Sequence, residues 1–256
     1  MKVVILCGGY GTRIRDVETD MPKPMIKIGN MPILLHIMKS YSKYGFNDFI
    51  LCTGYKSDLI KNFFLNLTNQ ISDISINFKN NSISSFAKKK YFSNWNVDII
   101  DTGLDSLTGT RIKKIKKFIK EDNFFLTYGD GVSNINIGEL LKFHLNNKKM
   151  VTVTGVKPPG RFGELKLSKN KVVSFNEKTN NQSNYINGGF FVCSKKVFDS
   201  MSEKNHSFEF DTLIKVVKKK QLVAFKHNGF WHPMDTSRDY LFLNELSKKR
   251  IPPWEK

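Results

Sequence analysis

A chain of 256 residues can bury one sizeable core, and 40% hydrophobic with 25% charged residues is the balance of a globular protein, not a disordered one. The 41 Lys+Arg against 23 Asp+Glu give a formal charge of +18, which suits anionic partners or reflects a lysine-rich bias. The lysines fall in short scattered runs (88–90, 113–117, 218–220) without a clustered basic face interleaved with aromatics, so no nucleic-acid partner is expected.

Cys7, Cys52 and Cys193 are odd in number and widely spaced, with no CxxC, and read as small buried thiols in a reducing cytoplasm. The five histidines share no ligand spacing and read as packing or surface residues. No segment approaches the roughly 20 apolar residues of a membrane span, and the first apolar run is too short for a signal peptide.

Val3, Val4, Ile5 and Leu6 predict a strand buried on both faces of a parallel sheet. It breaks into Cys7-Gly8-Gly9-Tyr10-Gly11-Thr12-Arg13. The glycines let backbone amides approach a ligand, and a nest of amides beside the Arg13 guanidinium suits an anion. A tight turn is the competing account. Neither the GxxxxGK[ST] phosphate loop nor the GxGxxG dinucleotide fingerprint occurs. Lys23 sits between Pro22 and Pro24, which are expected to hold its backbone extended and aim it at one place; otherwise it is one surface lysine among many.

Asn30 is expected to cap a helix with Pro32 in its first turn, an apolar stripe of Ile33, Leu34, Ile37, Met38 and Tyr41, and Gly45 as its stop. A second buried strand follows at 48–53. Ser57 is expected to cap a helix bearing Ile60, Phe63, Phe64 and Leu67. This alternation argues for a parallel sheet with helices on both faces. Residues 69–96 are a polar excursion of edge strands and loops. A strand at 97–100 leads to Ser106 and Arg111 at the head of a basic helix, whose apolar face is Ile112, Ile115, Phe118 and Ile119. Hydroxyls and an arginine there suit a phosphate or a nucleobase edge, or simple capping.

The strand 124–128 delivers Gly129-Asp130-Gly131, a carboxylate at the strand end where open α/β sheets bind ligands, although Asp-Gly is also a common turn pair. A helix at 137–145 and a strand at 150–156 complete the first half. A stiff loop from Pro158 to Gly163 then leads to a hairpin, 164–167 with 171–175, expected to add antiparallel strands to the same sheet. Glu177 and Lys178 end one strand, and Asn187 and Gly188 open another. Amide, carboxylate and lysine side chains beside glycine suit a polyol bearing a phosphate, and a surface charge pair explains Glu177-Lys178 equally. Helices at 209–219 and 236–248 flank the strand 222–227. Asp235 stands at the last strand-to-helix junction, as a second ligand-facing carboxylate or as a helix cap.

Taken in order, GGYGTR, PKPM, YGDGVS, PPGRFG, EK, INGGFF and PMDTSRD resemble the sugar-1-phosphate nucleotidylyltransferases, and within them the branch that joins CTP to glucose 1-phosphate. The likeness runs from Met1 to Pro252-Pro253-Trp254, and is weakest over 69–96. It implies an α/β fold: a Rossmann-like, mixed but mainly parallel sheet flanked by helices, with added antiparallel strands in the sugar-binding half. It implies one domain over 1–256, with 1–150 the nucleotide half and 151–256 the sugar half, and formation of CDP-glucose and pyrophosphate with Mg²⁺. Leu6, Cys7, Gly8, Gly9, Tyr10, Gly11, Thr12 and Arg13 would face the nucleotide and its triphosphate. Lys23 would reach the α-phosphate, with Ser106, Arg111 and Gly129 as further nucleotide contacts. Asp130 and Asp235 would hold the metal, and Glu177, Lys178, Asn187 and Gly188 the sugar phosphate. Arg13 and Lys23 would be the catalytic pair. Cys7 stands where the family has Ala, Ser106 where it has Thr, Asn134 where it has Asp, and Thr179 where it has Pro. A uridylyl- or thymidylyltransferase is the nearest alternative. The polar excursion and the aromatic tail point to a homo-oligomer.

Overall fold

The computed structural model describes residues 1–14, 16–18, 20–86, 92, 94–158, 164–168, 171–176 and 185–256. In chain order, β1 (Val3–Leu6) is followed by the short β2 (Lys27–Ile28) and β3 (Met31–Pro32), α1 (Ile33–Ser42), β4 (Asp48–Thr53) and α2 (Ser57–Ile71). Next come β5 (Asp73–Asn77), β6 (Ser82–Phe86), β7 (Asn96–Asp101), α3 (Thr108–Lys114), β8 (Asn123–Tyr128), β9 (Gly131–Ser133) and α4 (Ile137–Asn147). The second half holds β10 (Val151–Val156), β11 (Glu164–Ser168), β12 (Lys171–Asn176), β13 (Ile186–Ser194), α5 (Ile214–Lys218), β14 (Leu222–His227), β15 (Trp231–Pro233) and α6 (Ser237–Ser247).

Seven strands form the central sheet in the order β14-β10-β13-β8-β1-β4-β7. β1 lies parallel between β4 and β8, β4 pairs parallel with β7, and β10 pairs parallel with β14; β13 alone is antiparallel to its neighbours β10 and β8. The apolar runs are continuous because both faces are covered. Val3, Ile5, Phe49, Leu51 and Phe125 pack on one side, while Val4, Ile50, Cys52, Phe124 and Leu126 pack on the other. All ten are fully buried, and each such side chain contributes about 1.5–3 kcal/mol. Register then places the site. Leu6 stands opposite both Cys52 and Tyr128, so the loops leaving β1, β4 and β8 gather at one edge.

Several local expectations are corrected. Asn30 caps nothing: Gly29 and Asn30 form the two-residue turn between β2 and β3, and α1 starts at Ile33 with Pro32 as its N-cap. Ser57 is the first residue of α2, not its cap, and its hydroxyl bonds Thr53 Oγ1 at 2.7 Å. The basic helix stops at Lys114 and gives way to a 3₁₀ turn, Lys116–Phe118, yet Ile112, Ile115 and Ile119 all stay buried. The hairpin β11–β12 is a sheet of its own; the antiparallel strand that joins the central sheet is β13. The excursion carries the separate, exposed hairpin β5–β6. The cysteines are free and buried, and burial pushes the Cys52 thiol up to about 12. His36 is a packing residue, bonded to the carbonyl of Ile28 and accepting Trp254 Nε1–H. Among the described residues no helix is long and apolar enough to cross a membrane.

Candidate active site

The turn after β1 is built around Arg111. From α3 this side chain, 4% exposed, donates through Nη1 to the carbonyls of Thr53 (3.0 Å) and Gly103 (2.8 Å) and to Thr102 Oγ1 (2.8 Å). Through Nη2 it donates to the carbonyls of Gly8 (2.9 Å) and Leu104 (3.0 Å). Five oxygens thus replace the water a buried guanidinium loses. Gly8 is needed for this approach, because a Cβ there would lie 2.2 Å from Nη1. Gly11 takes φ +62°, the left-handed region that turns the chain into the 3₁₀ segment Thr12–Ile14. Arg111 was expected at the nucleotide. It lines the cleft, but its guanidinium is committed to the protein's own oxygens and clamps the ends of β1, β4 and β7 together.

That role has a measurable consequence. Arg111→Met takes the donor from the part-buried carbonyls of Gly103 and Leu104 and weakens the pairing of those of Thr53 and Gly8, which keep Thr102 and Tyr55. A loss of roughly 3 kcal/mol in denaturant unfolding is therefore expected. An unchanged unfolding midpoint with only a raised KM for the nucleotide would return Arg111 to ligand binding.

The turn forms one wall of a cleft of about 810 Å³, which Leu6, Cys7, Gly8, Gly9, Tyr10, Gly11 and Thr12 line together with Lys23, Ser106 and Gly129. Tyr10 bridges to the opposite rim: its hydroxyl donates to Asp105 Oδ1 at 2.9 Å, and its ring lies 5.4 Å from that of Tyr55. Ser106 donates to the carbonyl of Thr102 at 2.5 Å and accepts Lys114 Nζ at 3.0 Å. Arg13 follows in the 3₁₀ segment; its side chain lies outside the described residues, as do Glu177 and Lys178 entirely.

Asp130 leaves the end of β8, and Asp235 follows β15. The β9–β15 ladder joins them: Gly131 stands opposite Pro233, and Met234 N–H donates to the carbonyl of Asp130 at 2.8 Å. Asp235 is not the cap of α6. Thr236 fills that position, with its hydroxyl and Asp239 in a reciprocal capping box. Both carboxylates instead meet one ammonium, with Lys23 Nζ donating to Asp130 Oδ2 at 2.7 Å and to Asp235 Oδ1 at 2.6 Å. Burial alone would lower the Lys23 pKa, but the adjoining Asp130 and Asp235 outweigh it and hold the ammonium above its usual value. The backbone at Lys23 is not extended. Lys23–Met25 is a 3₁₀ turn, where Pro24 is tolerated because an N–H at that position has no partner inside the turn.

A second cavity, of about 310 Å³, adjoins the cleft and is lined by Asp235, Gly188 and Trp231 among others. Tyr128, Asp130 and Asn187 belong to both cavities. Among the described residues no cluster of three or more His, Cys, Asp or Glu could hold a metal by itself. A cation at Asp130 and Asp235 would therefore take further oxygens from its ligands. Several wall residues escaped the sequence reading, Tyr128 and Glu209 among them. Tyr128 directly precedes Gly129-Asp130, a position that could have marked it; Glu209 looked like one face of an amphipathic helix and carried no signal.

The nucleotidyl transferase family matches residues 2–249, and the chain belongs to it. Over 256 residues it is 43% identical to the glucose-1-phosphate cytidylyltransferase of Salmonella typhi, covering 100% of this chain and 99% of that one. It is 39% identical, with the same coverage, to the probable glucose-1-phosphate cytidylyltransferase of Bacillus subtilis (strain 168). Among solved structures, HddC from Yersinia pseudotuberculosis complexed with GMP-PN matches with a TM-score of 0.70 at 26% identity, covering 96% of this chain and 99% of that one.

Proposed function

We propose that the chain transfers the cytidylyl group of CTP to glucose 1-phosphate, forming CDP-glucose and pyrophosphate. The observation that carries this reading is the junction of the two cavities, where Lys23 joins Asp130 to Asp235. The choice of base and sugar is supported by the full-length likeness to the cytidylyltransferases. In this reading 1–256 is one nucleotidyltransferase domain, with the nucleotide half at 1–150 and the sugar half at 151–256. The protein works in the cytoplasm as a homo-oligomer, on small molecules and not on nucleic acid or membrane.

Every reacting group is an anion. The sugar-phosphate oxygen is already ionised at neutral pH, so no general base is required, and the barrier lies in bringing like charges together in line. Amides of the Leu6–Gly11 turn would cradle the triphosphate, with Thr12, Ser106 and Gly129 at the cleft wall. Lys23 uses two of its three N–H donors on the aspartates, which leaves one for an α-phosphoryl oxygen. Arg13 would grip the departing pyrophosphate, while Glu177, Lys178, Asn187 and Gly188 orient the attacking phosphate. Asp130 and Asp235 fit Mg²⁺, which takes one or two carboxylates and completes its shell with phosphate oxygens and water; bound there it would serve as Lewis acid and template.

The test is pyrophosphate release with glucose 1-phosphate across CTP, UTP, dTTP, ATP and GTP. CTP is expected to lead in kcat/KM by at least about 10-fold, the scale of one or two lost hydrogen bonds. An equal or faster rate with UTP or dTTP would overturn the base assignment and leave the class intact.

A further inference from the structure

Tyr128 ends β8 at the wall shared by the two cavities, and its hydroxyl is engaged by two other residues of that wall. It donates to Glu209 Oε1 at 2.5 Å and accepts Asn187 Nδ2–H at 3.2 Å. The other carboxylate oxygen, Oε2, accepts from Thr108 Oγ1 at 2.6 Å and from Ser207 Oγ at 2.7 Å. Glu209 is thereby fixed between α3 and the wide π-helical turn Phe208–Leu213, a kind of turn often found at functional sites. Burial, and next the Glu209 charge, push the Tyr128 phenol well above its usual pKa, so it stays neutral and keeps its proton.

A carboxylate can only accept. The Tyr128 proton therefore faces Glu209, and the phenolic oxygen can meet a ligand only as an acceptor. An acceptor backed by a carboxylate attracts an O–H group and repels a phosphoryl oxygen. We infer that Glu209 is a positioning residue that makes Tyr128 an obligate acceptor, and that Tyr128 Oη reads one hydroxyl of the sugar 1-phosphate. The sugar's neutral face is then held at Tyr128, and its phosphate is left to the Lys23 side of the junction. Tyr128 and Asn187 line both cavities, whereas Gly188 lines the second alone. With Asn187 and Gly188 read as sugar-phosphate residues, the phenol is assigned to the pyranose, and the ribose is the outcome the test separates. The inference rests on the proposed reading that the acceptor substrate is a sugar phosphate.

The experiment measures kcat/KM for glucose 1-phosphate and its 2-, 3-, 4- and 6-deoxy analogues in the wild type, Tyr128→Phe and Glu209→Gln. In the wild type one analogue is expected to lose about 100-fold or more, because a site built to bond a hydroxyl rejects its absence strongly. In Tyr128→Phe that ratio should shrink to about 3-fold or less, with the other ratios unmoved. Glu209→Gln sets an amide N–H against the phenol and turns its proton outward, and a sugar hydroxyl can accept that proton. The discriminating substrate for this variant is therefore the deoxyfluoro analogue at the same position, whose fluorine only accepts and which should lose less here than in the wild type. A purely structural Glu209 would lower all rates together and leave every ratio intact. Tyr128→Phe keeps the ring's edge contact with Phe191, so it decides the matter even if Glu209→Gln fails to fold. Wild-type ratios in Tyr128→Phe would overturn the inference. So would a collapse confined to the CTP-to-dCTP ratio, which would assign the acceptor to the ribose. If the nucleotide assay selects a different sugar phosphate, the deoxy series is made on that sugar, so the two readings fail separately.

Discussion

Asp130→Asn is expected to lower kcat by about 10³-fold or more, the scale seen when one preorganised charge is removed from a phosphoryl or acyl transfer site. Stability should hardly change, with Tm within about 2 °C of the wild type. The geometry separates the two outcomes. The Asp130 side chain is 32% exposed, and its partner Lys23, though only 11% exposed, keeps Asp235, so no buried charge is stranded. Its backbone carbonyl, which receives Met234 N–H and pins the β9–β15 ladder, is untouched by the substitution. Asparagine keeps the shape and one acceptor for Lys23, and removes only the charge that a cation and the ammonium both need. Near-normal turnover would take Asp130 out of the reaction. A large drop in Tm with proportionate loss of activity would make the Lys23–Asp130 pair a structural brace. Measuring kcat and a thermal melt on the same preparation distinguishes all three.

The parallel core was legible because its strands are buried on both faces. Continuous β-branched and aromatic runs such as Val3–Leu6 and Asp48–Thr53 have one structural solution at this length. The glycine loop, Lys23 and the two aspartates were legible as residue types. Nothing local says that Asp130 and Asp235 meet, because that depends on a three-residue ladder between strands about 100 residues apart. Arg111 was legible only in part: an arginine among hydroxyls at a helix head looks ligand-facing, and nothing local says that its donors also meet backbone carbonyls. Glu209 was hidden by geometry. A π-helical turn rotates each residue less than the 3.6-residue period assumes, so a face assigned from that period points elsewhere. The place of β13 between β10 and β8 is likewise a property of the assembled sheet, with no signature in its own nine residues.

Lys23→Ala is expected to reduce kcat by about 10²–10³-fold and to change the KM for the nucleotide much less. Ground-state phosphates can be held by the amides of the glycine turn, whereas charge that builds on the α-phosphoryl oxygens during transfer needs a cation beside them. The lysine is already in place: its side chain is 11% exposed, and two carboxylates fix its ammonium. Its raised pKa keeps the ammonium charged throughout the range below the unfolded value of about 10.4, and that charge is lost only as pH rises through the folded value. A pH profile between 6 and 9 should therefore show no step from Lys23. Removing the ammonium also leaves Asp130 and Asp235 facing each other, so the variant should depend on Mg²⁺ more for stability than the wild type does, a difference readable as a larger rise in Tm on adding the ion. A variant that keeps its kcat and loses only affinity would mean that Lys23 holds the substrate and does nothing further at the transition state. If kcat and the Mg²⁺-dependent Tm both stayed at wild-type values, the convergence of three charges at the junction of the cavities would have no part in the chemistry.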